Sequence, residues 1–395
     1  MRITGAVLET LGAPTPFVQS QPLVIRELDL DEPGRNEIVV RIEAAGICHS
    51  DLSVVTGVRP RPIPMLLGHE AAGIVETLGL DVNDLTVGQR VVMSFLPRCE
   101  HCAACATNGR TPCEPASVAN AEGRLFDGAW RIHDGERLIN HHLGVSAFAN
   151  YAVVDRRSVV PVASDVPAQV AALMGCAVLT GGGAVINAGQ VQSGETLLVV
   201  GLGGVGMAAL LVGLAHEGVR VIGIDANAEK LVLAKELGTH DAYTPSEALE
   251  LGVKADVVIE AVGRSVAFES AVTLTAPGGR TVVVGLPAPD DLASFSPLRL
   301  VAEGRSVIGS YLGNCVPARD IPVFVDMWRA GRLPVERLVS SQIDLHDINA
   351  AFDVLERGDA LRQVIVFGPS ADSTQSTVRD ITSAARSQIK GQTDE

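Results

Sequence analysis

The ten residues Leu197-Leu198-Val199-Val200-Gly201-Leu202-Gly203-Gly204-Val205-Gly206 constrain the fold more than any other stretch of the chain. An apolar strand that enters G-x-G-x-x-G and leaves as a helix is the opening of a parallel βαβ unit that holds a dinucleotide. Gly201 permits the tight turn, Gly203 lets the backbone approach a pyrophosphate, and Gly206 lets the helix pack against the strand. Gly204 and Val205 begin the helix, whose unpaired N–H groups face the phosphates. A second apolar strand ends at Asp225, where a carboxylate would accept hydrogen bonds from the adenosine ribose. A 2′-phosphate there would meet like charge, so NAD is expected rather than NADP. Asp225 as a solvated helix cap ahead of Asn227 is the alternative.

Residues 196–215 carry no charge and are long enough to cross a bilayer. Five glycines within them argue instead for strand, turn and helix. Around this segment the texture alternates: strands are expected at 196–200, 219–224, 256–260, 280–285 and 306–310, and helices at 205–217, 228–237 and 266–274. Such alternation means a doubly wound parallel sheet. Before residue 160 the pattern is short β-like runs separated by Gly, Pro and Asp turns, which reads as a β-rich domain. A helix at 321–330 and an apolar strand at 363–367 follow, and this late segment is expected to return to the first domain. The residues after 367 are rich in Ser, Thr, Asp and Gln and are expected to be a poorly ordered tail, with a short docked helix as the alternative.

A chain of 395 residues exceeds what one ordinary core supports, so two domains are expected. Its 31 basic against 46 acidic residues, net −15, disfavour a nucleic-acid partner. The first ten residues lack a basic segment followed by an apolar one, so the expected address is cytoplasmic and no membrane association is anticipated. Seven cysteines are then better explained as metal-binding or catalytic thiols than as a disulfide framework.

Four of them, Cys99, Cys102, Cys105 and Cys113, form C-x2-C-x2-C-x7-C on one loop, enough to close a tetrahedral structural zinc site. A redox dithiol at Cys99 and Cys102 would leave the other two unexplained. Cys48, His69 and Cys176 are scattered, but two thiolates and one imidazole would leave a fourth zinc position open for a substrate oxygen. By themselves they could equally be buried structural residues. Cys315 is expected to be a packed thiol.

Gly68-His69-Glu70, the four-cysteine loop and Gly-Leu-Gly-Gly-Val-Gly, in that order, resemble the zinc-containing medium-chain alcohol dehydrogenases, on the side of the bacterial relatives of class III. The resemblance spans nearly all of residues 1–367 and implies a GroES-like catalytic domain built from residues 1–178 and 312–367, with a Rossmann coenzyme domain inserted at 179–311. It makes Cys48, His69 and Cys176 ligands of a catalytic zinc, and Asp51 and Glu70 the acidic neighbours that orient ligands or assist their exchange. Ser50 matches the hydroxyl residue that bonds the substrate oxygen. Lys230 matches a basic residue near the ribose, Arg362 one that contacts pyrophosphate, and His49 a phosphate-contacting position. Taken singly, Lys230 and Arg362 could be solvated charges and Asp51 a turn residue.

The implied reaction is hydride transfer between NAD and a primary alcohol or aldehyde, with zinc lowering the pKa of the alcohol and Ser50 taking its proton. Two departures matter. Ser53 stands where animal relatives carry the histidine that extends the proton path, and Arg59 and Ser117 stand where class III enzymes carry the Asp and Arg that read glutathione. Phe95, Leu143, Leu286 and Tyr311 are expected by resemblance to line an apolar pocket for an aryl or medium-chain alcohol, with Arg59 at its mouth favouring oxygenated or anionic substrates. Rival readings are a thiol-adduct formaldehyde dehydrogenase, using mycothiol or glutathione, and a non-catalytic NAD-binding protein. A homodimer is expected, paired through the strand edge at 306–310.

Overall fold

The computed structural model describes residues 1–368; the expectations for the tail lie beyond Gly368, outside the described residues. Three sheets organise the chain. The first is a closed barrel of Arg2–Leu8, Leu23–Leu30, Ile132–Asp134, Arg137–His141 and Met65–Leu66. The second is a mixed sheet whose central strand, Glu37–Ile47, pairs with Ala71–Leu78, with Tyr151–Asp155 and with Arg362–Val366. That last pairing, antiparallel with Gln363 opposite Ile47, carries the late segment back onto the first 160 residues.

The third sheet runs Asp241–Tyr243, Arg220–Ile224, Thr196–Val200, Ala255–Glu260, Thr275–Val283 and Ser306–Gly309, parallel throughout. Its central strands carry the apolar runs Leu197–Val200 and Val257–Ile259, as expected of parallel strands covered on both faces. Thr196–Val200 lies between the strands on either side of it, so the winding direction reverses at its C-terminal end. Crevices of this kind, beyond the strand ends at a reversal, are where such sheets bind ligands. The twenty uncharged residues divide into Thr196–Val200, the glycine turn and the helix Gly204–Leu214. At Gly206 a Cβ would collide with the carbonyl oxygen of Gly201, which is why no other residue fits the helix entry.

Several boundaries differ from expectation. The helix after the glycine turn stops at Leu214 rather than residue 217, where Gly218 in the left-handed region turns the chain toward the next strand. The strand expected at 280–285 begins at Thr275, and the helix expected from residue 321 begins at Pro317, with proline where its missing N–H costs nothing. The edge strand Asp241–Tyr243 was not anticipated, being only three residues long.

One helical stretch, Ala168–Ala188, is long and apolar enough to span a membrane, yet 83% of its most apolar window is buried inside the protein. It is not a regular α-helix: π-helical turns occupy Met174–Val178 and Ala184–Ala188. Such turns widen the spiral by one residue and often mark functional positions. Here the first carries Cys176.

Candidate active site

Strand Glu37–Ile47 ends directly at Cys48, which caps the helix His49–Val55. Asp51 Oδ2 accepts the Cys48 N–H at 3.1 Å, fixing the start of that helix. The other oxygen of the same carboxylate lies 2.9 Å from His69 Nδ1. With Nδ1–H donated to Asp51, the lone pair of His69 Nε2 faces the Cys176 sulfur, 3.4 Å away. Cys176 arrives from the π-helical turn, and the next backbone N–H, of Ala177, donates to Glu70 Oε1 at 3.3 Å. One donor atom from each of Cys48, His69, Glu70 and Cys176 lies within 4.8 Å of the others, and all four residues are buried.

The charges around this cluster are unusual. Burial opposes ionisation of Asp51, but His69 and His142 outweigh it and hold its carboxyl below the ordinary range. The hydrogen bond from Cys176, helped by the Arg362 guanidinium, drives the Cys48 thiol well below its usual value. Burial pushes Glu70 up to about 7. Glu70 Oε2 has no hydrogen-bond partner among the described residues and sits 3.6 Å from Arg362 Nε. Buried thiols, an oriented imidazole and an orphaned carboxylate oxygen are a donor set that suits zinc, so the residues present fit the ion.

Cys99, Cys102, Cys105 and Cys113 form a second cluster, again with donor atoms within 4.8 Å of one another. Backbone N–H groups of Cys102, Cys105 and Cys99 point at the sulfurs of Cys99, Cys102 and Cys113, at 3.3, 3.4 and 3.3 Å. Donors aimed at sulfur favour thiolate, and the N–H groups of Glu114 and Cys105 lower Cys102 to about 6. No carboxylate belongs to this set, in contrast to the first cluster. Cys315 is buried, with its sulfur 3.3 Å from Leu179 O.

A cleft of about 760 Å³ joins the first cluster to the glycine turn. Cys48, His49, Ser50, Ser53 and Cys176 line it on one side, with Gly201, Gly203, Gly204, Val205, Asp225 and Lys230 on the other. Arg362 lies between them. Its guanidinium is buried beneath Gly204, where a Cβ would come within 2.7 Å of Nε, and Nε and Nη2 lack partners. Two unsatisfied buried donors under a glycine turn fit an anionic diphosphate. Asp225 is not a helix cap: that place belongs to Asn227. Its carboxylate accepts from Leu202 N–H at 2.7 Å and Asn227 N–H at 2.8 Å, tying the glycine turn to the second strand.

Phe95, Leu143, Leu286, Tyr311 and Arg59 line the same cleft. Phe95 meets His69 edge-on at 5.3 Å and Tyr311 at 6.0 Å. Asp51, His69 and Glu70 stand behind the cleft wall, and Gly206 serves packing alone. Ser53 Oγ donates to the backbone oxygen of Ser50 at 3.0 Å, so its proton is already committed. Two lining residues escaped the sequence reading. His142 places Nδ1 3.2 Å from Asp51 Oδ1, and Arg61 faces the cleft beside Arg59. An adjacent His141–His142 pair and an Arg-Pro-Arg-Pro run were the available signals.

Residues 34–164 match the family described as alcohol dehydrogenase GroES-like domain, and residues 204–329 that described as zinc-binding dehydrogenase. The probable S-(hydroxymethyl)glutathione dehydrogenase 1 of Schizosaccharomyces pombe is 32% identical over 368 residues, 90% of this chain and 97% of the relative. The chain belongs to the zinc-containing medium-chain alcohol dehydrogenases. Among solved structures, an alcohol dehydrogenase zinc-binding domain protein from Burkholderia ambifaria is 30% identical with a TM-score of 0.85, covering 93% of this chain and 100% of that one. Benzyl alcohol dehydrogenase from Acinetobacter calcoaceticus is 28% identical over the same shares, also with a TM-score of 0.85. As an alcohol dehydrogenase of this family the chain is an enzyme, a zinc- and NAD-linked oxidoreductase with a GroES-like portion and a Rossmann-like portion.

Proposed function

We propose that this alcohol dehydrogenase interconverts a primary aryl or medium-chain alcohol and its aldehyde at the Cys48–His69–Cys176 cluster. The observation that carries the reading is that Cys48 and Cys176 of this cluster line the cleft that ends at the glycine turn, with His69 within 4.8 Å of both. When bound, zinc supplies a Lewis acid toward the substrate oxygen and NAD the hydride acceptor. Cys48, His69 and Cys176 would hold the ion, with Glu70 beside it as an exchangeable carboxylate, while Asp51 fixes the tautomer of His69. Ser50 Oγ, without a hydrogen bond among the described residues, would accept the alcohol proton while releasing its own hydroxyl proton to water in the cleft. Ser53, committed to the Ser50 carbonyl, orients that turn rather than relaying the proton.

On the coenzyme side, Arg362 and the turn Gly201, Gly203, Gly204 and Val205 hold the pyrophosphate, with His49 at the phosphate edge. Asp225 and Lys230 receive the adenosine ribose. Phe95, Leu143, Leu286 and Tyr311 exclude water from the substrate end, which strengthens every electrostatic interaction there. Cys99, Cys102, Cys105 and Cys113 hold a structural zinc. We read the chain as three parts, a catalytic domain of 1–178 and 312–367 around a coenzyme domain of 179–311. Support comes from the pairing of Arg362–Val366 with Glu37–Ile47.

A thiol-adduct formaldehyde dehydrogenase is the second reading, favoured by the S. pombe relative and opposed by Arg59 and Ser117 at the positions that would read glutathione. The enzyme is read as a homodimer, supported by the outward-facing edge strand Ser306–Gly309 and the apolar side chains Leu298 and Val301, 76% and 81% exposed. A cytoplasmic address completes the reading, supported by burial of the long apolar helix within the protein. The test is a panel of alcohols and aldehydes with NAD and NADP, run beside metal analysis. Turnover of benzyl alcohol with NAD and about two zinc ions per chain are expected. A strict need for added glutathione would replace this reading with the second.

A further inference from the structure

Residues 59–62 read Arg-Pro-Arg-Pro, in the segment between helix His49–Val55 and strand Met65–Leu66. Each proline holds the residue before it in extended backbone, and in an extended chain alternate residues share a face. Burial follows that alternation: Pro60 and Pro62 are exposed, whereas Arg59 and Arg61 are half-buried. Both arginines line the cleft that carries Phe95, Leu143 and Tyr311. The backbone therefore sets both guanidinium groups on the cleft side, with little backbone freedom left to lose.

Neither guanidinium has a carboxylate partner among the described residues, although the chain has 46 acidic residues. Other arginines do pair: Arg157 with Asp155 at 2.7 Å, Arg280 with Glu195 at 2.7 Å, Arg329 with Asp165 at 2.8 Å. Among the described residues the one hydrogen bond of the Arg61 side chain runs to Asn120 O at 3.4 Å. Asn120 in turn donates to Phe95 O at 2.8 Å, which ties Arg61 to the wall bearing the aromatic ring. Burial and the neighbouring charge of Arg59 both lower Arg61, the mark of a cation left uncompensated. In a protein of net charge −15, two unpaired cations facing one cavity call for an anion.

We propose that Arg59 and Arg61 form a carboxylate clamp, so that the physiological alcohol or aldehyde carries a carboxylate at the end remote from the reacting carbon. This rests on the alcohol dehydrogenase reading above and names its substrate class. A carboxylate suits the site because its two oxygens match the planar guanidinium fork. A phosphate dianion would cost more to transfer between the apolar walls of Phe95 and Leu143.

The experiment compares 4-(hydroxymethyl)benzoate, benzyl alcohol and 4-(hydroxymethyl)phenyl phosphate on the full zinc-loaded chain, by kcat/KM with NAD and by calorimetric titration. Wild type, Arg59→Gln, Arg61→Gln, the double variant and Arg61→Lys are compared as ratios within each protein, so lower yield of folded enzyme cancels. We expect wild type to favour the benzoate over benzyl alcohol by about tenfold or more, and the double variant to bring that ratio to about one. Arg61→Lys retains part of the preference. Raising ionic strength lowers the ratio in wild type itself, a check that needs no variant. An equal preference in wild type and double variant, or a stronger preference for the phosphate, overturns the clamp. Failure of all three alcohols to react would sink the parent reading alone, because calorimetric selection of the carboxylate would still decide this one.

Discussion

Asp51 orders three partners with a single carboxylate: the Cys48 N–H, His69 Nδ1 and the nearby Nδ1 of His142. Asp51→Asn keeps the shape but can no longer hold the imidazole in the tautomer that bares Nε2. Zinc affinity at the cleft should fall about 10- to 100-fold in competition with a chelator, and an unchanged affinity would show that the bond to His69 orients nothing. Asp225 holds the glycine turn through Oδ2, on the Leu202 N–H, and its own loop through Oδ1, on the Asn227 N–H, so Asp225→Ala should lower kcat/KM for NAD about tenfold and narrow the gap to NADP. His141 offers a pH prediction away from the cluster. Buried and accepting the Arg131 N–H through Nε2, it is depressed to about 3, first by burial and then by the charge of Arg131. Its folded value lies below its unfolded one, so between these values the unfolded chain binds more protons and stability falls as pH drops through 6.5 toward 3. Wild type should lose about 2 kcal/mol between pH 6.5 and 5 relative to His141→Gln in urea unfolding, and parallel curves would refute the assignment. Of these residues, the four-cysteine spacing was legible because ligand chemistry restricts it, whereas the Gly-His-Glu triplet pointed to a ligand only through the family resemblance. His142 was not legible, since its role comes from a neighbour 91 positions earlier, which the adjacent pair of histidines does not reveal.

The π-helical turn at Met174–Val178 explains how a helix in the core can deliver a thiol into a cleft. Regular α-helical winding would give its residues a different angular setting about the axis. Nothing in the apolar sequence of that stretch marks the irregularity, whereas the alternating strands and helices of the parallel sheet announce themselves by period. Boundaries were less legible than elements: proline at the first turn of Pro317–Arg329 is read from sequence as a break, yet there it starts the helix. The four-cysteine loop tests a different level of organisation. Cys105→Ser should reduce bound zinc from about two ions per chain to about one and lower thermal stability, while the remaining zinc stays at the cleft. Loss of both ions together would mean that the loop and the cleft are not separate sites.

At the scale of the whole molecule, the parallel sheet ends in Ser306–Gly309, a strand whose outer side has no partner among the described residues, next to the exposed Leu298 and Val301. If this edge joins two copies, Leu298→Asp with Val301→Asp should shift sedimentation from dimer to monomer without altering the metal content, and an unchanged dimer would place the interface elsewhere. The strand Arg362–Val366 has a further consequence, for synthesis on the ribosome. Cys48, His69 and Cys176 leave the exit tunnel early, and the parallel sheet can close behind them, but the guanidinium beneath the glycine turn and the strand beside Ile47 are made later than all of these. Until then the end of strand Glu37–Ile47 from Ala44 to Ile47 has one side open in a half-built protein, its first half being already paired with Tyr151–Asp155. A nascent chain halted before residue 362 would therefore carry all the thiols yet bind the dinucleotide poorly, and would be a natural client for chaperones.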